Sequence, residues 1–377
     1  MWLGVLVGLL ILTLLVVIHE LGHAVAAIRS GVTVEEFGVG FPPTLFKKKL
    51  KNGIIFSINL LPIGGFVKLK GENDSANKKG DYGAASFAQK TKILFAGVFA
   101  NWLIAVFLLS SLSLFGLPKI LPNQFFIPSD TTEIVQPVEI IDLNKDYPAE
   151  KAGLKVGDKI VRFAGQEVPS VEHLIKVSKQ NQGELIDVIY DREGSENRVK
   201  VQLLDNNQGA LFGATLGQGV LMKSTWSSPI VGFVTSIQFT QATVEGIYES
   251  LSNLVGGLIM QLSPDASVRS RANDSLKSAG DSVAGPIGIL GTIFPSAQKA
   301  GLTQLTLLMA IISISLAVFN ILPIPALDGG RWFLSFIFKL SKKTLTKEIE
   351  ERIQAIGFSI LIGLVLLVTI IDVTRIL

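Results

Sequence analysis

Val16-Val17-Ile18-His19-Glu20-Leu21-Gly22-His23-Ala24 closes an otherwise uncharged apolar run that begins at the first residue. The run, residues 1–18 and then Leu21, Ala24, Ala26 and Ala27 up to Arg29, is long enough to cross a hydrocarbon core of roughly 30 Å as a helix. His19 and His23 stand four residues apart, so a helix sets both imidazoles on one face, where they reach a single ion. Glu20 adjoins the first of them, the place for a base acting on water held by that ion. Ionisable side chains are costly within a span and need a compensating partner, which a metal supplies. A solvated helix extension or a secretory leader would account for the run without chemistry, and Ala24-Val25-Ala26 does resemble a leader cleavage site. Against a leader, no basic residue precedes the run, and the His-Glu-His group occupies the cleavage region.

The rest of the 377 residues agrees with membrane embedding: 48% are hydrophobic, only 17% are charged, and the mean hydropathy is +0.48. With the first span at about residues 2–27, further spans are expected at about 93–117, 302–322 and 353–371; Pro118 ends the second, and Pro323 and Pro325 end the third. Lysine and arginine crowd the loops between spans one and two and between three and four, which places both loops in the cytoplasm. Both termini and the long stretch between spans two and three then lie on the opposite side. A net charge of +3 without a basic stripe excludes a nucleic-acid partner.

There is no cysteine, so a metal must take nitrogen or oxygen ligands, and the histidines number three: His19, His23 and His173. A catalytic zinc needs a third protein ligand and an open position, so a carboxylate or amide has to complete the set. Asn320-Ile321-Leu322-Pro323-Ile324-Pro325-Ala326-Leu327-Asp328-Gly329-Gly330 offers a candidate at the cytoplasmic end of span three. Its prolines break the helix and its glycines allow a tight return, so Asp328 can be aimed sideways at a site. Irregular backbone at membrane depth is tolerated where it lines a water-filled cavity.

Between spans two and three the pattern changes twice. Residues 133–205 read as a soluble α+β module, with alternating strands at 158–163 and 185–190 flanking a helix near 171–177 that carries His173 as a surface or groove residue and not a metal ligand. In it Pro148-Ala149-Glu150-Lys151-Ala152-Gly153-Leu154, followed by Val156-Gly157-Asp158, resembles the signature of bacterial PDZ domains, which bind extended peptides at a sheet edge. Residues 229–262 form a two-sided helical pattern expected to lie on the membrane as an interfacial amphipathic helix, and residues 265–282 read as a loop.

Taken together, His19-Glu20-x-x-His23 in span one, Asn320-x-x-Pro323-x-Pro325-x-Leu327-Asp328-Gly329 in span three and the intervening PDZ-like module resemble the site-2 protease family of intramembrane metalloproteases, in its bacterial PDZ-containing group. Only one PDZ-like unit is evident, where some members carry two. The resemblance implies an α-helical polytopic membrane protein with four transmembrane helices, a re-entrant β-hairpin after the first and one inserted PDZ domain. It implies Zn2+ held by His19, His23 and Asp328, with Glu20 as general base and Asn320 stabilising the oxyanion or holding substrate backbone. Gly97-Val98-Phe99-Ala100-Asn101 resembles the family's glycine-to-asparagine motif, which makes Asn101 a further candidate for the catalytic site. Residues 53–70 resemble the family's re-entrant hairpin, so Gly64, Gly65, Phe66 and Val67, together with Pro323 and Pro325, are expected to bind substrate. Gly285-Pro286-Ile287 resembles the loop that leads back to the membrane in a core resuming at residue 285.

The implied activity is peptide-bond hydrolysis within or near the spans of single-span proteins, such as anti-sigma factors or remnant signal peptides, in an inner membrane. Two other classes fit parts of the sequence. A scaffold with structural zinc would have no use for Glu20 beside its ligands, and a metal transporter would scatter ionisable residues through spans two to four, which are nearly free of them.

Overall fold

The structure, a computed structural model, describes residues 2–205, 211–281 and 284–376 and divides into two compact units, residues 1–112 with 228–377 and residues 113–227. The first unit opens with helix α1 (Trp2–Arg29), whose buried face carries the small residues Gly4, Gly8, Ala24 and Ala27 together with His19 and His23. Small residues let a neighbouring backbone approach closely where lipid supplies no hydrophobic drive between helices. Strands β1 (Val34–Lys49) and β2 (Ile55–Leu69) follow, then helix α2 (Phe87–Phe115). A Cβ on Gly22 of α1 would stand 2.4 Å from the Ala96 carbonyl, so α1 and α2 touch backbone to backbone just below the histidines.

The expected hairpin at 53–70 is wider than the sequence suggested. β1 and β2 both bend, and four segments lie side by side: residues 46–49, 55–58, 36–39 and 65–68, with Phe37 opposite both Phe56 and Val67. Pro42-Pro43 sits at the bend of β1, where no ladder donor is needed. Phe41, Leu45, Phe46, Leu60 and Leu61 are exposed around that end of the sheet.

The second unit is small and mixed. Strands β3 (Leu117–Pro118), β4 (Thr132–Val135) and β11 (Val220–Lys223) make one sheet in the order β3-β11-β4. A larger sheet runs β10-β5-β6-β8-β9, formed by β5 (Val138–Leu143), β6 (Lys159–Phe163), β8 (Leu185–Arg192), β9 (Ser195–Gln202) and β10 (Ala214–Gly217), with β7 (Gln166–Glu167) paired to β6. It therefore takes in chain beyond residue 205. Helices α3 (Pro148–Lys151) and α4 (Val171–Gln180) complete the unit, α4 capped by Ser170 Oγ accepting from His173 N–H at 3.1 Å. Alternate residues of β8 turn inward, so Ile186, Val188 and Tyr190 join Phe163, Leu174 and Phe212 in the core. Burial of each aromatic ring contributes about 1.5–3 kcal/mol. The buried Asp158 is held bidentate by Arg192, both bonds at 2.7 Å, which satisfies its charge.

The first unit then resumes with α5 (Ser228–Gln261), α6 (Ala266–Asp281), α7 (Pro286–Gly288), a π-helical turn Ile289–Ile293, α8 (Phe294–Lys299), α9 (Leu302–Ile321), α10 (Asp328–Leu340) and α11 (Lys347–Ile376). Four helices among the described residues are long and apolar enough to cross a membrane: Trp2–Arg29, Phe87–Phe115, Leu302–Ile321 and Lys347–Ile370. These match the four spans expected from the sequence, and α5 is not one of them.

Two expectations change here. The first turns of α5 do not lie free on a surface: Gly232 packs on Ser110 of α2, Ser228 Oγ donates to the Ser110 carbonyl, and Phe233 meets Trp102 edge-on at 5.5 Å. Its small buried residues permit that approach, while the large apolar side chains Ile230, Ile237, Val244, Leu251 and Leu258 stay exposed. Residues 266–281, expected as loop, are helical. Asp265 Oδ1 caps the start by accepting from Ser267 N–H at 2.8 Å, and Ala272 and Leu276 pack on Gly257 of α5. Low apolar content hid a helix whose partner needs only two such residues.

Candidate metalloprotease site

The last third of α1, the middle of α2 and the start of α10 meet at one point. His19 Nε2 and His23 Nε2 lie 3.0 Å apart, and Asp328 Oδ2 lies 3.0 Å from the former and 3.3 Å from the latter. Both histidines are buried, and these are the residues among those described whose ligand atoms cluster in this way. A tetrahedral ion with bonds of about 2.0–2.2 Å sets its ligand atoms about 3.3–3.5 Å apart, slightly wider than this triangle. His23 Nδ1 donates to the Ile93 carbonyl at 2.8 Å, which fixes the tautomer with Nε2 bare and aimed at the shared point. The donor set and its spacing fit zinc.

Gly97 explains how two imidazoles fit against a neighbouring helix. A Cβ there would lie 2.5 Å from His23 Nε2 and 2.7 Å from His19 Cε1, so only glycine leaves room for the pair. One turn further along α2, the buried Asn101 places its amide 3.5 Å from His19 Nδ1, and its backbone carbonyl accepts from Ser313 Oγ of α9 at 2.8 Å.

Asp328 is delivered by a chain reversal. Helix α9 ends at Ile321 ahead of Pro323 and Pro325, a turn closes from Leu327 N–H to the Ile324 carbonyl at 3.1 Å, and α10 starts at Asp328 itself. A Cβ on Gly329 would stand 2.1 Å from the Ile321 carbonyl oxygen, and one on Gly330 would stand 1.9 Å from that of Ile324. The two glycines are what let the helix start so close under the end of the previous one.

Glu20 faces a cavity of about 630 Å³ that it lines with His23, Phe66, Val67, Asp328 and Arg331. Its Oε2 accepts from Val67 N–H at 3.0 Å, so the outer edge of residues 65–68 runs past the carboxylate. Gly65 sits between the Gly38 carbonyl and Val17, with room for no side chain, and Gly64 adopts a left-handed φ of +85° at the preceding bend. Of the residues expected to bind substrate, Phe66 and Val67 thus line the cavity, while Pro325 packs on Gly357 of α11. Asn320 Nδ2 donates to the Leu316 carbonyl of its own helix at 2.9 Å, and the residue is not among those lining the cavity.

Sequence reasoning missed the charged wall opposite. Arg331 donates to Glu72 at 2.9 Å, approaches Glu350 Oε1 at 3.3 Å and lies 4.5 Å over the ring of Tyr82. Burial pushes the Tyr82 phenol well above its usual range, so it stays neutral under the guanidinium. Glu350 also accepts from Asp74 N–H at 2.8 Å, and Asp74 pairs with Lys90 at 2.8 Å. These partners come from two other stretches of chain, residues 72–90 and Glu350, so the one local signal was Arg331 standing three residues after Asp328 on a helix.

The sequence model of Peptidase family M50 matches residues 7–364. A Clostridium perfringens protein, named provisionally as a zinc metalloprotease, is 27% identical over 372 residues, which cover 98% of each chain. A Helicobacter pylori (strain J99) protein named in the same way is 30% identical over 384 residues, covering 99% of both. The zinc metalloprotease RasP of Geobacillus kaustophilus is 27% identical over 443 residues, covering 96% of this chain and 95% of the relative. With its membrane helices, its His-Glu-His helix and a match along nearly its whole length, the chain belongs to peptidase family M50, the site-2 proteases, and is a membrane-embedded zinc metalloprotease.

Proposed function

We propose that this protease hydrolyses peptide bonds within or beside the membrane-spanning segments of single-span proteins, with zinc held by His19, His23 and Asp328. One observation carries the reading: two of the three converging atoms sit on a membrane-length helix, the third at the start of α10, beside a strand whose outer edge faces Glu20. A helical substrate keeps its amides bonded internally and must unwind to be cut. The edge at residues 65–68 gives the unwound backbone a partner by β-augmentation, with Phe66 and Val67 beside it. A substrate carbonyl that takes the Val67 N–H also releases Glu20 from it, freeing the carboxylate as the substrate arrives.

Zinc, when bound, supplies Lewis acidity for polarising a carbonyl and acidifying water. Glu20 then takes the proton of the attacking water and returns it to the leaving amine. Asn101 acts on His19: its buried Oδ1 has no partner, and a half-turn of the amide lets that oxygen accept from His19 Nδ1–H, which leaves Nε2 bare for the metal.

The exposed apolar end of the sheet, Phe41, Leu45, Phe46, Leu60 and Leu61, supports its re-entry into the bilayer, and the basic loops support a cytoplasmic opening of the site with both termini outside. The inserted unit, read as a PDZ domain, inspects or excludes substrates by their extramembrane parts. If deletion of the larger sheet as a whole, residues 138–217, abolished cleavage of an already shortened substrate, that filtering role would be wrong.

The central test is reconstitution of the purified protein with a single-span substrate. Glu20→Gln is expected to lower cleavage by about 10²–10⁴-fold while retaining zinc. Equal cleavage by both proteins would remove Glu20 from the chemistry.

A further inference from the structure

The segment that delivers Asp328 is held by one face of α11. Glu350, Gln354 and Gly357 stand at i, i+4 and i+7, so they share that face. Glu350 approaches Arg331 Nε at 3.3 Å, three residues beyond Asp328. Gln354 Oε1 accepts from Ala326 N–H at 2.5 Å, two residues before it. Gly357 lies so close to Pro325 that a Cβ would stand 2.3 Å from the ring and 2.5 Å from the carbonyl oxygen. Further along, α11 exposes Phe358, Ile360, Leu364 and Leu366 before Asp372 packs on Gly285 and Gly288.

Ala326 is the strained link. Its φ is +75°, a left-handed conformation that side chains with a Cβ seldom adopt and that persists only where the surroundings over-determine it. Glycine would relieve it, yet the chain keeps alanine there and turns its N–H onto Gln354. The next peptide units carry Leu327 and then Asp328, so the turn at Ala326 sets where the carboxylate points. Gln354 Nε2 is buried with no partner, which leaves Oε1 as the atom that holds the turn.

We propose that Gln354 is a positioning residue for the zinc site: by accepting the Ala326 N–H it fixes the left-handed turn that holds Asp328 Oδ2 against His19 and His23. This rests on Asp328 as a ligand. The working group is a hydrogen-bond acceptor of glutamine length, so a glutamate replaces it and a methionine of similar shape does not.

The experiment compares full-length wild type, Gln354→Met and Gln354→Glu, purified in detergent, for zinc affinity by competition with a chromophoric chelator and for thermal melting of the chelated proteins. Gln354→Met is expected to bind zinc about tenfold or more weakly, the loss typical of an outer-shell partner. Gln354→Glu is expected to bind within about twofold of wild type on the same scale, and the three chelated proteins to melt together. Wild-type affinity in Gln354→Met would overturn the proposal, as would equal weakening in both variants or a zinc loss matched by earlier melting of the chelated protein. Asp328→Ala in the same assay separates the two readings: undiminished affinity there refutes Asp328 as ligand, whatever Gln354 does.

Discussion

His19 and His23 reach their shared point by helix periodicity, whereas Asp328 reaches it through a chain reversal that the surrounding backbone forces. The histidines need a regular helix and one missing side chain opposite them, at Gly97. The aspartate needs two prolines to stop α9, a left-handed alanine, two glycines under the Ile321 and Ile324 carbonyls, and a helix face to hold the turn. One half of the site is preorganised by local structure and the other by tertiary contact. The helical half should therefore tolerate loss of the metal, and the loop half should be where substitutions at a distance are felt.

Removing a proposed ligand from each half is the strongest way to probe the contrast. His23→Ala and Asp328→Ala should each cost more than the roughly 10–100-fold in zinc affinity that loss of an outer-shell partner costs, read by metal analysis after dialysis. Wild type stripped of zinc should keep its helix content and regain activity when zinc is restored, because α1 does not depend on the ion for its shape. Loss of helix content on stripping would show that the ion, and not periodicity, holds the histidines.

Glycine substitutions sharpen the same contrast at smaller cost. Gly330→Ala meets a carbonyl at 1.9 Å and can be relieved only by moving backbone, so Asp328 shifts and cleavage falls by about 10²-fold, the price of a displacement near 1 Å. Gly97→Ala meets imidazole atoms at 2.5–2.8 Å, which can rotate away. Alanine is the better helix former by about 1 kcal/mol, so this variant should melt no earlier than wild type while still losing zinc affinity. Melting curves and chelator competition on both proteins check the pair; earlier melting of Gly97→Ala would mean that the clash reaches the α1–α2 contact.

The same division governs what could be read in advance. Helix-borne features were legible because their spacing is local: four spans, the His-Glu-His group, the glycine-to-asparagine step on α2. Asp328 was legible through its prolines and glycines. What was hidden depended on partners outside the segment itself: residues 34–49 pair as strand because β2 folds back on both sides of residues 36–39, α6 forms because Gly257 accepts Ala272 and Leu276, and Arg331 finds Glu72 and Tyr82 before α2 and Glu350 on α11. In α6 a capping signal at Asp265 was present, but the segment's scarcity of apolar residues outweighed it.

The finest contrast lies between two asparagines, one serving each half. Asn101 is wholly buried and stands 3.5 Å from His19, the proposed ligand on the helical half, while Asn320 is half-buried at the end of α9 with its amide spent on the Leu316 carbonyl. If orientation of His19 is the role of Asn101, Asn101→Ala should weaken zinc binding by about 10–100-fold and lower turnover in parallel. Asn320→Ala should leave zinc affinity unchanged and cost less than about tenfold in turnover, far short of the 10²–10³-fold lost with an oxyanion donor. A loss of that larger size in Asn320→Ala, with zinc retained, would mean that the amide leaves Leu316 when substrate binds and serves the transition state after all. The loop half of the site would then supply both a ligand and a donor, and the division of labour would be unequal in its favour.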